Sequence, residues 1–148
     1  ELDDGTCISE TMAICRYFEE SYPDAPTLLG DTPLEKATIE QWVRWIEFYF
    51  FTPTGMCFQH TSGYFKDRMN PIKEWGEDCG KSVSKFMAFL NDHLAGQDYI
   101  CCDRFTAADI NAFTTVAFAR VVNIRILPEH TNLQAWYDRI KARASAQA

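Results

Sequence analysis

From Pro33 onward apolar residues recur at steps of three and four, the period of a helix that buries one face. Pro33 suits a first helical position behind Thr32 or Asp31 as cap, and the helix it opens carries Ile39, Trp42, Val43, Ile46 and Tyr49 on one face. Trp45, Phe48 and Phe51 lie on other faces, so the segment from Trp42 to Phe51 is apolar nearly all round and is expected to be covered on several sides or to meet a partner. Pro53 and Gly55 are expected to kink this helix before it resumes through His60. A further helix from Ile72 to Leu94 has the stripe Ile72, Trp75, Cys79, Val83, Phe86, Leu90 and Leu94, with Gly96 placed as a C-terminal stop.

The best-defined local motif is Phe105-Thr106-Ala107-Ala108-Asp109-Ile110. Thr106 as N-cap can accept from the Asp109 amide while the Asp109 carboxylate reaches back to the Thr106 amide, and Phe105 can pack on Ile110: a capping box with its hydrophobic staple. From Ala107 to Ile124 only Asp109 and Arg120 are charged, which predicts the central, most buried helix. A last amphipathic helix follows Thr131, with Leu133, Trp136, Tyr137 and Ile140 inward.

The start of the chain differs. Leu2, the turn Asp3-Asp4-Gly5-Thr6 and Cys7-Ile8 read as a hairpin, and a chain that opens inside a hairpin without an initiator Met reads as cut from a larger sheet. Ser9 is placed to cap a helix to about Glu20 with Ala13, Ile14, Tyr17 and Phe18 on one face, ended by Pro23 and Pro26. The division expected is therefore 1–22, a linker 23–32, and an all-helical domain 33–148.

Composition narrows the function. The 148 residues carry 14 basic and 21 acidic side chains, a net charge of −7, the wrong sign for tracking a phosphate backbone, so nucleic acid is not an expected partner. No stretch approaches the ~18 uninterrupted apolar residues of a membrane span, so no membrane partner is expected. The six cysteines contain no C-x-x-C pair and the aromatic content is enough for a core without staples, which predicts reduced thiols in a cytoplasmic setting. His60, His93 and His130 are scattered, and no metal is expected. Cys7, in the expected strand, and Cys15, expected to be buried by its apolar neighbours, are not expected to be reactive.

The order of hairpin, Ser9-Glu10-Thr11 opening a helix, proline linker, long helices and a stapled capping box resembles the glutathione transferases. The resemblance rests on Leu2-Asp3-Asp4-Gly5-Thr6 through Ile14, on the Phe105–Ile110 box, and on Trp136-Tyr137-Asp138-Arg139-Ile140 to Arg143. It implies a mainly α fold: the C-terminal helical bundle of that family with a remnant hairpin and helix of a truncated thioredoxin-like domain. It also implies glutathione as cosubstrate, its γ-glutamyl end held by Glu10 and Thr11. A carboxylate there can pair with the ligand's ammonium, while a hydroxyl and free amides at a helix N-terminus receive its carboxylate. By position the family's electrophile pocket nominates Tyr49, Phe50, Pro53, Met56 and Phe118, with Gln59 and His60 near the same region.

The activity implied is conjugation of glutathione to a small hydrophobic electrophile, or thiol-dependent reduction. These residues include no counterpart of the family's sulfur-activating residue or cis-proline loop, so this stretch alone is expected to be catalytically incomplete, and no catalytic residue is assigned in it. The alternative is a non-catalytic helical binding or assembly module, or a carrier of hydrophobic ligands. Exposed apolar helix faces predict a homodimer or self-association.

Overall fold

A computed structural model describes residues 1–147. The chain forms α1 (Thr11–Ser21), α2 (Pro33–Ile46), α3 (Thr52–Thr61), α4 (Lys73–His93), α5 (Ala107–Ala119) and α6 (Thr131–Lys141). Helix α3 lies along α4, α2 packs on α5, and α6 closes the bundle against α4 and α5. The core is built from Ile39, Val43 and Ile46 of α2, Val83, Met87 and Leu90 of α4, Ala108, Ala112 and Val116 of α5, and Leu133, Trp136 and Ile140 of α6.

The N-terminal hairpin is not formed. The turn exists, with Gly5 at φ +84°, the Leu2 amide donating to the Thr6 carbonyl at 2.8 Å and the Thr6 amide to Asp4 Oδ1 at 2.9 Å. Among the described residues, however, there is no strand. A two-stranded ribbon without a third strand or a packed face is marginal, and here the turn has neither. Ser9 does not cap α1 either: the helix starts at Thr11, with Glu10 in the cap position and no side-chain cap. Cys7 and Cys15 are both exposed, and α1 buries none of its residues.

Between α2 and α3 the helix widens instead of breaking. Glu47–Phe51 is a π-helical turn, closed by the Thr52 amide donating to the Glu47 carbonyl. Proline 53 has no N–H to offer the Tyr49 carbonyl, and the wide turn absorbs that missing rung within a continuous helix. The added residue rotates the inner face by one position. Phe50 is fully buried and stacks on Phe86 at 5.2 Å, while Tyr49, expected inside, is 60% exposed.

Helix α4 departs from its expected stripe at the N-terminal end, where Ile72 and Trp75 are about half exposed and Gly76, Cys79 and Val83 face inward. Glycine 76 is what lets α3 approach: a Cβ there would stand 2.7 Å from both His60 Cβ and Thr61 Cγ2. The close approach lets the Ile72 amide donate to His60 Nδ1 at 2.9 Å.

The stretch expected as a linker is pinned from both sides. Glu19 of α1 accepts from the amides of Leu28 and Leu29 at 2.8 and 2.9 Å, and the Leu28 carbonyl accepts from the Ala107 amide at 3.0 Å. Arg104 donates to the Thr27 carbonyl at 2.6 Å and to Glu35 Oε2 at 3.3 Å, and Glu35 itself completes a capping box with Thr32. The arm carrying α1 is thereby oriented by hydrogen bonds, with Leu29 and Gly30 buried in the segment.

Candidate functional site

Glu10 is held at φ 70°, ψ 122°, a left-handed conformation that a residue with a long side chain rarely adopts and that costs on the order of 1–3 kcal/mol where it persists. The Glu10 carbonyl accepts the first helical bond from Ile14 at 3.0 Å, which fixes the residue against α1. Among the described residues its carboxylate forms no hydrogen bond or ion pair, and neither does the Thr11 hydroxyl. Since α1 has no side-chain cap, its first amides stand open beside these two groups. The result is a negative charge, a hydroxyl and a helix N-terminus on one corner, a set that suits a zwitterion carrying both an ammonium and a carboxylate. A cleft of about 500 Å³ adjoins it, lined by Glu10, Met12, Arg16, Tyr17, Glu40 and Arg44 among others. Arg16 is engaged there with Glu40 at 3.4 Å.

The five residues nominated for an electrophile pocket differ in exposure, with Tyr49 60% exposed. Phe50 belongs to the core. Pro53 and Met56 are half-buried on α3, and Phe118 meets Phe51 at 6.1 Å and Phe58 at 5.8 Å. Phe58 in turn contacts Tyr64 and Phe65, so a continuous aromatic surface runs from α5 across α3 into the following loop. Phe58, Tyr64 and Phe65 were not among the sequence candidates. For Tyr64 and Phe65 the signal was the loop's own composition, a Tyr-Phe pair in a segment with no helical period. His60 is occupied by the Ile72 amide. No group of three or more metal-ligating side chains occurs among the described residues.

At the other end of α5 the box residues form a buried node. The Thr106 hydroxyl accepts from the Ala108 amide at 3.3 Å, and Asp109 Oδ2 accepts from the Thr106 amide at 3.0 Å. Asp109 Oδ1 takes the Ile100 amide at 3.0 Å and Trp136 Nε1 at 2.9 Å. Burial pushes the Asp109 carboxyl above its ordinary range, and the donors from Trp136, Ile100 and Thr106 pull it back down. Nearby, burial also pushes the Cys101 thiol up to about 12, which keeps it protonated and unreactive. Ile110 is exposed, and Phe105 packs edge-on to Tyr99 and beneath the Arg143 guanidinium.

Comparison with known proteins places these features. Residues 73–139 match the family model described as glutathione S-transferase, C-terminal domain. Glutathione S-transferase 2 of Saccharomyces cerevisiae is 34% identical over 149 residues, covering 99% of this chain and 64% of that protein. The crystal structure of Gtt2 from the same yeast superposes with a TM-score of 0.92 at 32% identity, over 99% of this chain and 71% of that one. A glutathione S-transferase of class Gtt2 from Vibrio parahaemolyticus gives 0.88 at 33% identity, over 100% of this chain and 70% of the other. The chain belongs to the glutathione transferase family.

It spans less than two thirds of the length of the curated yeast transferase it matches. The transferase likeness extends over the α1 arm as well as the bundle, because the superpositions cover all or nearly all of the chain. Within this transferase framework, the Asp109 node holds helices together, and at the Glu10 corner an unpaired carboxylate, a hydroxyl and the open amides of α1 converge.

Proposed function

We propose that this chain contributes the γ-glutamyl corner of a glutathione site and one wall of a hydrophobic cosubstrate site in a cytoplasmic transferase that conjugates glutathione to small electrophiles or uses it in thiol-dependent reduction. The observation that carries this reading is the strained, unpartnered Glu10 at the open end of α1. Its carboxylate would pair with the ligand's ammonium, while the Thr11 hydroxyl and the first amides of α1 receive the ligand's carboxylate. These groups bind and orient the tripeptide. Activation of the sulfur is assigned to no residue of this chain.

Tyr49, Pro53, Met56 and Phe118, extended by Phe51 and Phe58, would offer an aromatic and thioether wall to the electrophile. The same exposed aromatics favour self-association into a homodimer. They also support the second reading, a carrier or docking module, which would bind hydrophobic ligands without turnover.

The test uses the protein made from its complete reading frame. Glu10→Gln and Thr11→Val are each expected to weaken glutathione binding about tenfold by titration calorimetry, the loss of one charge-assisted hydrogen bond, while the melting temperature stays unchanged. Unaltered affinity in both variants would remove Glu10 and Thr11 from the site. Binding of a hydrophobic electrophile without any conjugate formed would favour the carrier reading.

A further inference from the structure

We infer that Glu19 is a positioning residue for the glutathione site, a role that rests on the glutathione reading of the Glu10 corner: its carboxylate sets the direction in which α1 presents Glu10 and Thr11.

Helix α1 is not aimed by packing. Met12 and Glu19 are its half-buried residues, and the rest of the helix is exposed. The two stand seven positions apart, which at about 3.6 residues per turn places both on the face turned to the bundle. Met12 packs on the core, and Asn111 Nδ2 donates to its Sδ at 3.8 Å. A thioether contact is weakly directional, so it fixes where the start of α1 sits but not which way the helix points. The Arg16–Glu40 pair at 3.4 Å is exposed on both sides and contributes little.

Glu19 supplies the directional contact. One carboxylate oxygen, Oε2, accepts from the Leu28 amide at 2.8 Å, and the other, Oε1, accepts from the Leu29 amide at 2.9 Å and from the Thr27 hydroxyl. Charge-assisted bonds from neighbouring amides to both oxygens hold the carboxylate in one orientation. The Thr27 hydroxyl in turn accepts from the Gly30 amide at 3.0 Å, which closes the receiving turn on itself.

That turn is anchored to the start of α5. The Leu28 carbonyl accepts from the Ala107 amide at 3.0 Å, and the Thr27 carbonyl accepts from Arg104 Nη1 at 2.6 Å. Beside Ala107, Thr106 and Asp109 are fully buried in the node described above. Contacts therefore run from the Asp109 node through Leu28 and Thr27 to Glu19, and along α1 to Glu10. With Glu19 released, α1 swings about the Met12 contact, and its open amides, which point along the helix axis, swing with it. A site that grips a ligand's ammonium and carboxylate together tolerates only about 10–20° of such error. Because α1 buries no residue, what Glu19 secures is the direction of this corner more than the stability of the bundle.

The experiment titrates glutathione calorimetrically into the protein made from its complete reading frame, as wild type, Glu19→Gln, Glu19→Asp, Glu10→Gln and the Glu10→Gln/Glu19→Gln double variant. Glu19→Gln is expected to weaken glutathione binding about fivefold, with the melting temperature within about 2 °C of wild type. Glu19→Asp keeps the charge and one amide bond, and is expected to recover part of that loss. In the double variant the two losses are expected to fall short of multiplying by about threefold, because a corner without its carboxylate loses less when misdirected. Thr27→Val removes the hydroxyl that Glu19 receives without altering α1, and is expected to weaken binding about threefold; it carries the test if the Glu19 variants fold poorly. Full affinity in Glu19→Gln and Thr27→Val, with Glu10→Gln weakened, would overturn the positioning role and leave the glutathione reading standing. Losses that multiply fully, or Glu19→Asp as weak as Glu19→Gln, would also overturn it, since Glu19 would then not act through Glu10 by its charged bonds. Full affinity in Glu10→Gln would remove the glutathione reading and the positioning role with it.

Discussion

Helices α1 and α5 are both short and both begin at a residue singled out by sequence, yet α1 buries none of its 11 residues and α5 buries seven of 13. Helix α5 is held by the Asp109 node at its start and by packing along its length. Helix α1 is held at its far end, by Glu19 reaching the amides of Leu28 and Leu29. Unpartnered polar groups gather on the loosely held helix, whereas every polar atom of the buried node has a partner. In this chain the residues offered to a ligand and the residues that secure the fold are different residues, so substitutions should sort into two classes.

The largest effect belongs to the node. Asp109→Ala strands the Ile100 and Thr106 amides and the Trp136 indole N–H in the interior, and is expected to cost about 3–5 kcal/mol, or to lower the melting temperature by about 10 °C. A calorimetric midpoint unchanged by this substitution would end the contrast between the two helices. The titration of Asp109 sharpens the same point. Its carboxyl is raised in the folded chain, so its contribution to stability is fully present below the unfolded value near 3.9 and is lost as pH climbs through the folded value. The wild type should therefore gain on Asp109→Asn as pH falls from neutral toward 4, measured by denaturant midpoints at each pH. An opposite slope would mean that the hydrogen bonds outweigh burial.

Smaller effects separate two glycines. Gly76→Ala must push apart α3 and α4 and is expected to destabilise by about 1–3 kcal/mol, whereas Gly55→Ala meets nothing within 4 Å and is expected to stabilise α3 by about 0.5–1 kcal/mol. Equal midpoints for the two variants would show that the helices are not in close contact at Gly76. The smallest effect is expected on α1, where Tyr17→Ser in the chain of these 148 residues should stay within about 0.5 kcal/mol of the parent. A larger loss in chemical denaturation would show that α1 is covered.

Periodicity made the bundle legible because Ile39, Val43, Val83, Leu90, Leu133 and Ile140 announce their faces by size. The same rule failed where the buried face is built from small residues. Ile72 and Trp75 were read as inward because they are large, while Gly76, which brings α3 to α4, carries no hydrophobic signal. The rotation that buries Phe50 and turns out Tyr49 follows from a five-residue widening that a 3.6-residue template does not contain. On α1, amphipathicity gave the helix but not its cover, and Cys15 was misplaced for that reason. The box at Thr106 and Asp109 was readable as a local spacing, but its bonds to Ile100 and Trp136 join residues nine and 27 positions apart, which spacing does not encode.

That last bond gives the protein an internal optical marker. Trp136 is fully buried with its N–H on a carboxylate, Trp75 is half in water, and Trp42 lies edge-on to Trp45 at 5.0 Å. With the other three tryptophans replaced by phenylalanine, the emission of Trp136 would shift to the blue as its indole leaves water. Stopped-flow refolding would then time the arrival of α6 at the start of α5, a closure of the chain rather than the growth of any single helix.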